Sequence, residues 1–255
     1  MKEKRSFEIK SKIVTPADVR RIANLFYDIS SEYVNSVQKN DPNADYRRGF
    51  KVVTTDGTEY STATLDIFKS EGILDSKNVQ EIEMSFWVYK LNTDISIRLR
   101  DSRYNGWGNR ISVEGIESTW VSGTFSRLLE CVNSWKNQSS IGKKYKWLIS
   151  VLIGLLLGWA IGTVVLSIIS VFSAKFEFSW LSPYLIPFMG FAGFGTFVAE
   201  HYITKLWPEI EIVSGPEHSR ELSKKRRRIT FVLTAIVLPL TLGVLGSIIG
   251  TIIAK

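Results

Sequence analysis

Several arginines and aromatic residues in the first half of the chain have the types and spacing of a ligand site. Arg98 and Arg100 alternate with apolar residues along one predicted strand, and Trp87 and Tyr89 alternate in the same way along the strand before it. Guanidinium groups bind phosphate and carboxylate groups, and aromatic rings stack on bases or bind cations. We therefore interpret this group as a patch for a small ligand or a cytoplasmic partner protein. The patch comprises Trp87, Tyr89, Arg98, Arg100, Arg103, Tyr104, Trp107 and Arg110.

Two other interpretations of the patch remain open. Cross-strand ion pairs, such as Glu83 with Arg98, could simply solvate one face of the sheet. Alternatively, another part of the chain covers that face, and residues 209–213 are a candidate. That segment alternates like a strand, and a lone strand is not stable in water. It would dock on the N-terminal domain, pair with a second copy, or lie as an irregular loop along the lipid headgroups.

The sequence offers no catalytic constellation. The first 146 residues contain no histidine, because His201 and His218 both lie in the second half of the chain. This excludes histidine-based general base catalysis and most zinc sites from that part of the chain. There is no P-loop, no Gly-x-Gly-x-x-Gly after a strand, and Cys131 is the only cysteine. We predict no catalytic residue, no metal site and no cofactor.

The strands and helices that position the patch belong to a predicted α+β domain over residues 1–136. Short turns between consecutive strands indicate an antiparallel meander sheet, and two long helices cover one face of it. A short helix is predicted over 65–71. The predicted strands are 5–13, 50–55, 58–62, 79–91, 95–100 and 111–113, and the two long helices are 16–37 and 118–136.

Three long apolar runs follow, none of them with a charge in its middle third. They lie at about 147–172, 178–203 and 230–254. As helices they are long enough to cross a hydrocarbon core of about 30 Å. We predict that residues 137–146 form a basic juxtamembrane linker and that residues 147–255 form a three-helix transmembrane bundle, with a cytoplasmic loop over 204–229.

The net charge of +7 is concentrated beside these predicted spans. Without the eight basic residues there, the rest of the chain would carry −1. Basic residues flank the cytoplasmic ends of membrane spans. We therefore expect a protein of the cell inner membrane, with its N-terminus on the cytoplasmic side and its C-terminus outside. No apolar signal segment opens the chain, which gives the same expectation. We expect these residues to contact anionic lipid headgroups and not nucleic acid. They are Lys143, Lys144, Lys146, Lys224, Lys225, Arg226, Arg227 and Arg228.

Small residues repeat at four-residue spacing in two of the predicted spans. Such a face lets two helix backbones approach closely. It would serve either packing within one subunit or the formation of a homo-oligomer. The residues are Gly154, Gly158 and Gly162 in the first span, and Gly246, Gly250 and Ala254 in the third.

One arrangement of motifs extends over most of the chain. The pattern Trp120-Val121-x-Gly123-x-Phe125-x-x-Leu128 is followed by two spans, by Trp207-Pro208-Glu209-Ile210-Glu211-Ile212, by a basic run and by a third span. This order resembles a pattern found in uncharacterised bacterial membrane proteins with an N-terminal cytoplasmic α+β domain. The resemblance implies that architecture and no activity.

Together these features favour a non-enzymatic, oligomeric inner-membrane protein whose cytoplasmic domain binds a partner or a small ligand. One alternative is a membrane-perturbing or pore-forming effector, for example in antiviral defence, in which the glycine faces assemble. A second alternative is an enzyme that acts at the membrane surface. Gene neighbourhood and oligomer size would discriminate among the three.

Overall fold

A computed structural model of the chain describes residues 2–68, 72–105, 108–138 and 208–215, together with isolated positions between 150 and 239. The chain divides into two compact units, of which the first comprises Met1–Gln138 and Pro208–Glu221, and the second Ser139–Trp207 and Leu222–Lys255. No helix among the described residues is both long and apolar enough to cross a membrane. The predicted spans fall outside those residues, apart from isolated positions.

The first unit has an α+β fold, as predicted. Its chain order of strands and helices follows the predicted order closely. The elements are β1 (Glu3–Glu8), β2 (Lys12–Val14), α1 (Pro16–Asn40), β3 (Tyr46–Thr54), β4 (Glu59–Thr62), a 3-10 helix (Leu65–Phe68), α2 (Ile73–Ser76), β5 (Val79–Val88), β6 (Thr93–Arg100), α3 (Ser102–Asn105), β7 (Arg110–Gly115), α4 (Ser118–Asn133), β8 (Lys136–Asn137) and β9 (Ile210–Ile212).

The main sheet has six antiparallel strands in the order β1-β7-β6-β5-β3-β4. Strands β5, β6 and β7 form the predicted meander, and the β3–β4 hairpin adds beside β5. Every second residue of β6, and of β5 from Ile82 onward, is buried, which gives the sheet one apolar face.

Helices α1 and α4 cover this apolar face. Phe26 of α1 packs edge-on against Phe50 of β3, with ring centroids 5.5 Å apart. Tyr33 of α1 contacts both Phe86 of β5 and Trp120 of α4. The core of the unit therefore lies between the sheet and the two helices, and the opposite face of the sheet is left for polar residues.

The start of α1 follows from local chemistry. Thr15 accepts a hydrogen bond from the backbone N–H of Asp18, and the Asp18 carboxylate accepts one from the N–H of Thr15. Together with Pro16 in the first turn, this is a capping box that satisfies donors left open at a helix start.

The predicted single strand over 5–13 is wrong, because Ser11 has a φ of 58° and turns the chain out of one sheet and into another. Strand β1 pairs with β7 in the main sheet, whereas β2 belongs to a second sheet. The predicted helix over 118–136 is also too long, because α4 ends at Asn133. Of the predicted helix over 65–71, residues 65–68 form a 3-10 helix, and residues 69–71 lie outside the described residues.

The second sheet has three strands in the order β8-β2-β9. Strand β8 runs antiparallel to β2, and β9 runs parallel to it. Ile210 and Ile212 of β9 are buried in the same core as Val14. Of the three interpretations of residues 209–213, docking on the N-terminal domain is therefore the one that the structure contains.

Candidate functional site

The outer face of the main sheet, opposite α1 and α4, carries polar side chains in rows across the strands. Trp87 of β5 lies directly across from Arg47 of β3 and from Asp94 of β6. Further along, Ser85 lies across from Ser96. Two rows of charged residues follow, in which Glu83 faces Arg98 and Glu81 faces Arg100.

Arg98 and Arg100 form ion pairs with their cross-strand neighbours. Arg98 Nη2 donates to Glu83 Oε1 at 2.7 Å, and Arg100 Nε lies 2.8 Å from Glu81 Oε1. Partly exposed pairs of this kind contribute about 0–1 kcal/mol each. Their geometry fits the interpretation in which ion pairs solvate the sheet, because each guanidinium already has a carboxylate partner.

Arg103 forms an ion pair with Asp101, which lies two residues before it. Its Nε and Nη2 atoms both donate to the carboxylate of Asp101, which is completely buried. The same carboxylate accepts a hydrogen bond from the backbone N–H of Ile212, and Ser102 Oγ accepts one from the N–H of Ile210. The loop after β6 therefore fastens β9 to the domain.

The remaining members of the predicted patch are dispersed. Arg110 is exposed at the start of β7, across from Arg98 and Glu8. Tyr104 belongs to α3, but its side chain, like the whole of Trp107, falls outside the described residues.

The aromatic residues of the patch lie at the opposite end of the sheet from its arginines. Trp87 and Glu81 are six residues apart on β5, which corresponds to about 20 Å. The serine row separates the two groups. The structure thus divides the predicted patch into an arginine end beside β9 and an aromatic end at the β5–β6 turn.

The aromatic end contains a cluster that we call the aromatic site, formed by Arg47, Trp87, Tyr89 and Asp94. Trp87 remains 43% exposed on the open sheet. Its ring centroid lies 4.3 Å from that of Tyr89, with an interplanar angle of 32°. The guanidinium carbon of Arg47 lies 5.5 Å from the Tyr89 ring centroid. The site therefore combines an open indole surface with a cation and an anion on its two sides.

Sequence reasoning missed two members of the aromatic site. The predicted strand begins at Phe50 and does not contain Arg47, whereas β3 begins at Tyr46. Its signal was the alternation of Tyr46, Arg48 and Phe50, which would have placed Arg47 on the outer face. Asp94 directly follows the predicted turn and precedes Ile95, so the alternation of β6 could have revealed it.

Asp94 is held in an unfavourable environment for a negative charge. Burial raises the pKa of this carboxyl, and the neighbouring Glu114 raises it further. Glu114 itself lies across from Asp94 on β7, and hydrogen bonds from Lys2 and Lys4 lower its pKa. The two lysines therefore form ion pairs with Glu114. The carboxylate oxygens of Asp94 can accept hydrogen bonds from a ligand.

A separate surface cleft of about 430 Å³ lies between α1 and α4, on the other side of the domain. It is lined by two arginines, two acidic residues and Cys131, among others. Burial raises the pKa of the Cys131 thiol, which disfavours the reactive thiolate. The opposite charges around the cleft balance, so it has no evident preference for an ion. The charged lining residues are Arg21, Asp28, Arg127 and Glu130.

Few of the predicted site residues in the second half are described. Lys224, Arg227 and Arg228 are exposed and helical, and Gly154 is helical and buried. The others lie outside the described residues, namely Lys143, Lys144, Lys146, Lys225, Arg226, Gly158, Gly162, Gly246, Gly250 and Ala254.

Within the part of the chain that the structure describes, no group of three or more His, Cys, Asp or Glu side chains could hold a metal ion. The chain matches no family model, no curated protein and no solved structure.

Proposed function

We propose that the chain is a non-enzymatic, multi-pass inner-membrane protein whose cytoplasmic α+β domain binds a ligand or partner and is joined to its transmembrane helices through β9. The observation that carries this proposal is the pairing of β9 with β2. Residues 208–215 follow two predicted spans in the sequence, yet they complete the core of the N-terminal domain.

The position of the chain ends in the second sheet supports this arrangement. Asn137, at the end of β8, and Ile210, at the start of β9, both lie beside Lys12 of β2. The chain therefore leaves the domain after β8 and returns before β9 at the same end of the second sheet, on either side of β2. The two points are two strand spacings apart, or about 10 Å. This is close to the 8–10 Å between the axes of two packed helices.

The same pairing supports the proposed topology. Residues 138 and 208 belong to one folded domain, so both must lie on the same side of a membrane. An even number of crossings must therefore separate them, and the predicted spans 147–172 and 178–203 supply two. The basic residues near both cytoplasmic ends favour the same orientation.

The glycine faces and the basic residues beside the spans complete the proposal. Close approach along the faces of Gly154, Gly158 and Gly162 would assemble several copies. Exposed basic residues at Lys224, Arg227 and Arg228 would contact anionic headgroups, at roughly 1 kcal/mol for each charge.

Cysteine labelling in intact cells tests the topology. Single cysteines would replace Lys175, Glu217 or Lys255 in a Cys131→Ser background, and a membrane-impermeant maleimide would be added before or after lysis. We expect residues 175 and 255 to react in intact cells and residue 217 to react only after lysis. Reaction of residue 217 in intact cells, or protection of residue 175, would refute the proposal.

Oligomer size tests the assembly. We expect a complex of several chains in nanodiscs, and we expect Gly158→Leu to reduce its size, because a leucine side chain separates the helix backbones. Ser167→Leu, in the same predicted span but off the glycine face, is the matched control. A monomer in the wild type would contradict the oligomeric part of the proposal and leave the topology unaffected.

A further inference from the structure

We propose that the aromatic site binds a purine nucleotide, with the base stacked on Trp87, its N–H edge toward Asp94 and its phosphate toward Arg47. This inference rests on the proposed function, since it names the ligand class for the binding domain. Arg47, Trp87 and Asp94 lie on three neighbouring strands, and Tyr89 directly follows β5, so the main sheet fixes their spacing.

The stacking surface is both open and supported. Trp87 exposes 43% of its surface, although a large aromatic side chain gains by burial. The Tyr89 ring lies against it at 4.3 Å, and the Arg47 guanidinium lies over the Tyr89 ring. The indole is therefore held in place before any ligand arrives. Stacking of a base on such a ring contributes roughly 1–3 kcal/mol, which corresponds to about 5- to 150-fold in affinity.

Arg47 provides a cation at the aromatic end of the outer face, whereas Arg98, Arg100 and Arg110 lie toward the other end. Arg98 and Arg100 are paired with glutamates and Arg103 is paired with Asp101. Among the described residues Arg47 forms no ion pair, and its contact is the face of Tyr89. Its side chain is exposed. A guanidinium in this situation can take a phosphate through two parallel N–H bonds.

Asp94 binds the N–H edge of the base, on the side of Trp87 away from Arg47. Its carboxylate is about half buried and accepts hydrogen bonds from N–H donors. The strands that carry Arg47 and Asp94 are two spacings apart, or about 10 Å, with Trp87 between them. A ligand must therefore present donors at one edge of a planar ring and negative charge beyond the other. Guanine offers its N1–H and N2–H₂ donors to both carboxylate oxygens, so we expect a preference for guanine over adenine.

A partner arginine is the main competing occupant, because a guanidinium also stacks on an indole and pairs with a carboxylate. It would leave the cation of Arg47 facing a like charge, whereas a nucleotide uses it. The nucleotide therefore accounts for all four residues of the aromatic site, and an arginine accounts for three.

Calorimetric titration of the full chain in nanodiscs tests this inference with four probes: GMP, AMP, guanosine and arginine amide. We expect GMP to bind more tightly than AMP and guanosine, and arginine amide to bind weakest. Trp87→Ala should weaken GMP binding about tenfold or more, whereas Trp87→Phe keeps a stacking ring and should retain most of it. Arg47→Ala should reduce the affinity for GMP to that for guanosine, and Asp94→Asn should abolish the preference for GMP over AMP.

Arg110→Ala removes an exposed cation from the other end of the same face, and it should leave GMP binding unchanged. Absence of GMP binding at millimolar concentration, equal binding by Trp87→Ala, or tighter binding of arginine amide than of GMP would each overturn the inference. The cysteine-labelling experiment does not involve this site, so a correct topology without GMP binding refutes the inference alone.

Discussion

The buried carboxylate of Asp101, at the end of β6, accepts a hydrogen bond of 3.2 Å from the backbone N–H of Ile212 in β9. It also receives two side-chain donors from Arg103. The backbone N–H of Arg103 is a fourth donor, and a buried charge with four such donors joins sequence-distant elements more firmly than an exposed pair does. The contact connects the loop after β6 to the segment that follows the second predicted span.

Replacing Asp101 with asparagine should loosen β9. The neutral amide cannot form the ion pair with Arg103, and loss of one partner of a buried pair costs about 3–5 kcal/mol. Hydrogen exchange of the full chain in nanodiscs should show faster exchange of residues 210–213 than of β5. Asp41→Asn, at an exposed pair with Lys90, is the control and should leave this exchange unchanged. Equal protection of residues 210–213 in both variants would contradict a role for Asp101 in holding β9.

Gly215→Ala should destabilise the first unit for two separable reasons. Gly215 has a φ of +76°, and an added Cβ would lie 2.8 Å from Asn78 Oδ1. Gly57 has a similar φ of +83° with nothing within 4 Å of the added atom, so Gly57→Ala measures the backbone strain alone. Strain should cost about 1 kcal/mol in either variant, and turning the Asn78 side chain away should add up to about 1 kcal/mol at Gly215.

Thermal unfolding of the three variants Gly57→Ala, Gly215→Ala and Gly215→Ala with Asn78→Ala checks this prediction. The double variant should recover part of the loss, because the smaller side chain at position 78 removes the collision. Equal melting temperatures for the two single variants would show that the space beside Gly215 does not matter.

Lys12→Met should weaken the end of α4. The Lys12 ammonium is buried and donates to two backbone carbonyls, that of Asn133 in the last turn of α4 and that of Trp135 just after the helix. The last carbonyls of a helix have no partner within it. Hydrogen bonds from a charged donor contribute about 1.5–3 kcal/mol, so a loss of about 2 kcal/mol in the free energy of unfolding is expected. Chemical denaturation measures it. Lys10→Met, which removes an exposed lysine paired with Glu8, should change it little.

Asp94→Asn should stabilise the domain at neutral pH. The pKa of Asp94 is raised in the folded state, chiefly by burial, so its ionised form is less favourable there than in the unfolded chain. Below its ordinary pKa of 3.8 the group is protonated in both states and costs nothing. The cost develops as the pH rises through the folded pKa, and it remains at pH 7.

Denaturation at pH 7 and at about pH 3 measures this effect. The difference in stability between Asp94→Asn and the wild type should be positive at the higher pH and close to zero at the lower one. Ser96→Ala, at the next outward position of β6, should show no such dependence. A gain of equal size at both pH values would indicate that packing, not ionisation, is responsible.

The main sheet could be predicted because its strands carry a strong period. In β5, Ile82, Met84, Phe86 and Val88 alternate with outward-facing residues, and this alternation predicts both the strand and its buried face. The start of α1 was equally clear, since Thr15 and Pro16 have specific roles at helix starts. These signals are local, and each element contains enough residues to display them.

The second sheet could not be derived in this way. Strands β2 and β9 have three residues each, too few to show a period, and their paired positions Lys12 and Ile210 are 198 residues apart in sequence. The turn at Ser11 has a positive φ at a residue other than glycine, which composition does not reveal. The alternation of apolar residues at 210–212 predicts a strand, but it does not indicate which strand pairs with it.

Only part of the aromatic site could be predicted, because alternation shows which face a residue occupies but not which strands are neighbours. The outward positions of Trp87 and Tyr89 followed from the period of β5. The choice of partners depended on which strands lie beside β5, and that order is a property of the whole sheet. Arg47 therefore replaces Arg98 as the cation beside the indole, because β3 brings it directly across from Trp87.

The parallel pairing of β2 with β9 means that the second sheet cannot be completed until β9 has been synthesised. When residue 138 leaves the ribosome, one edge of β2 still lacks its neighbour, because β9 lies about 70 residues further along the chain. At about 5–20 residues per second, the gap lasts roughly 4–14 s. During that time the nascent domain presents an unpaired strand edge and the apolar surface that Ile210 and Ile212 later cover. An unpaired strand edge is a template for aggregation, so the nascent domain must stay apart from other chains over this interval, until β9 covers β2.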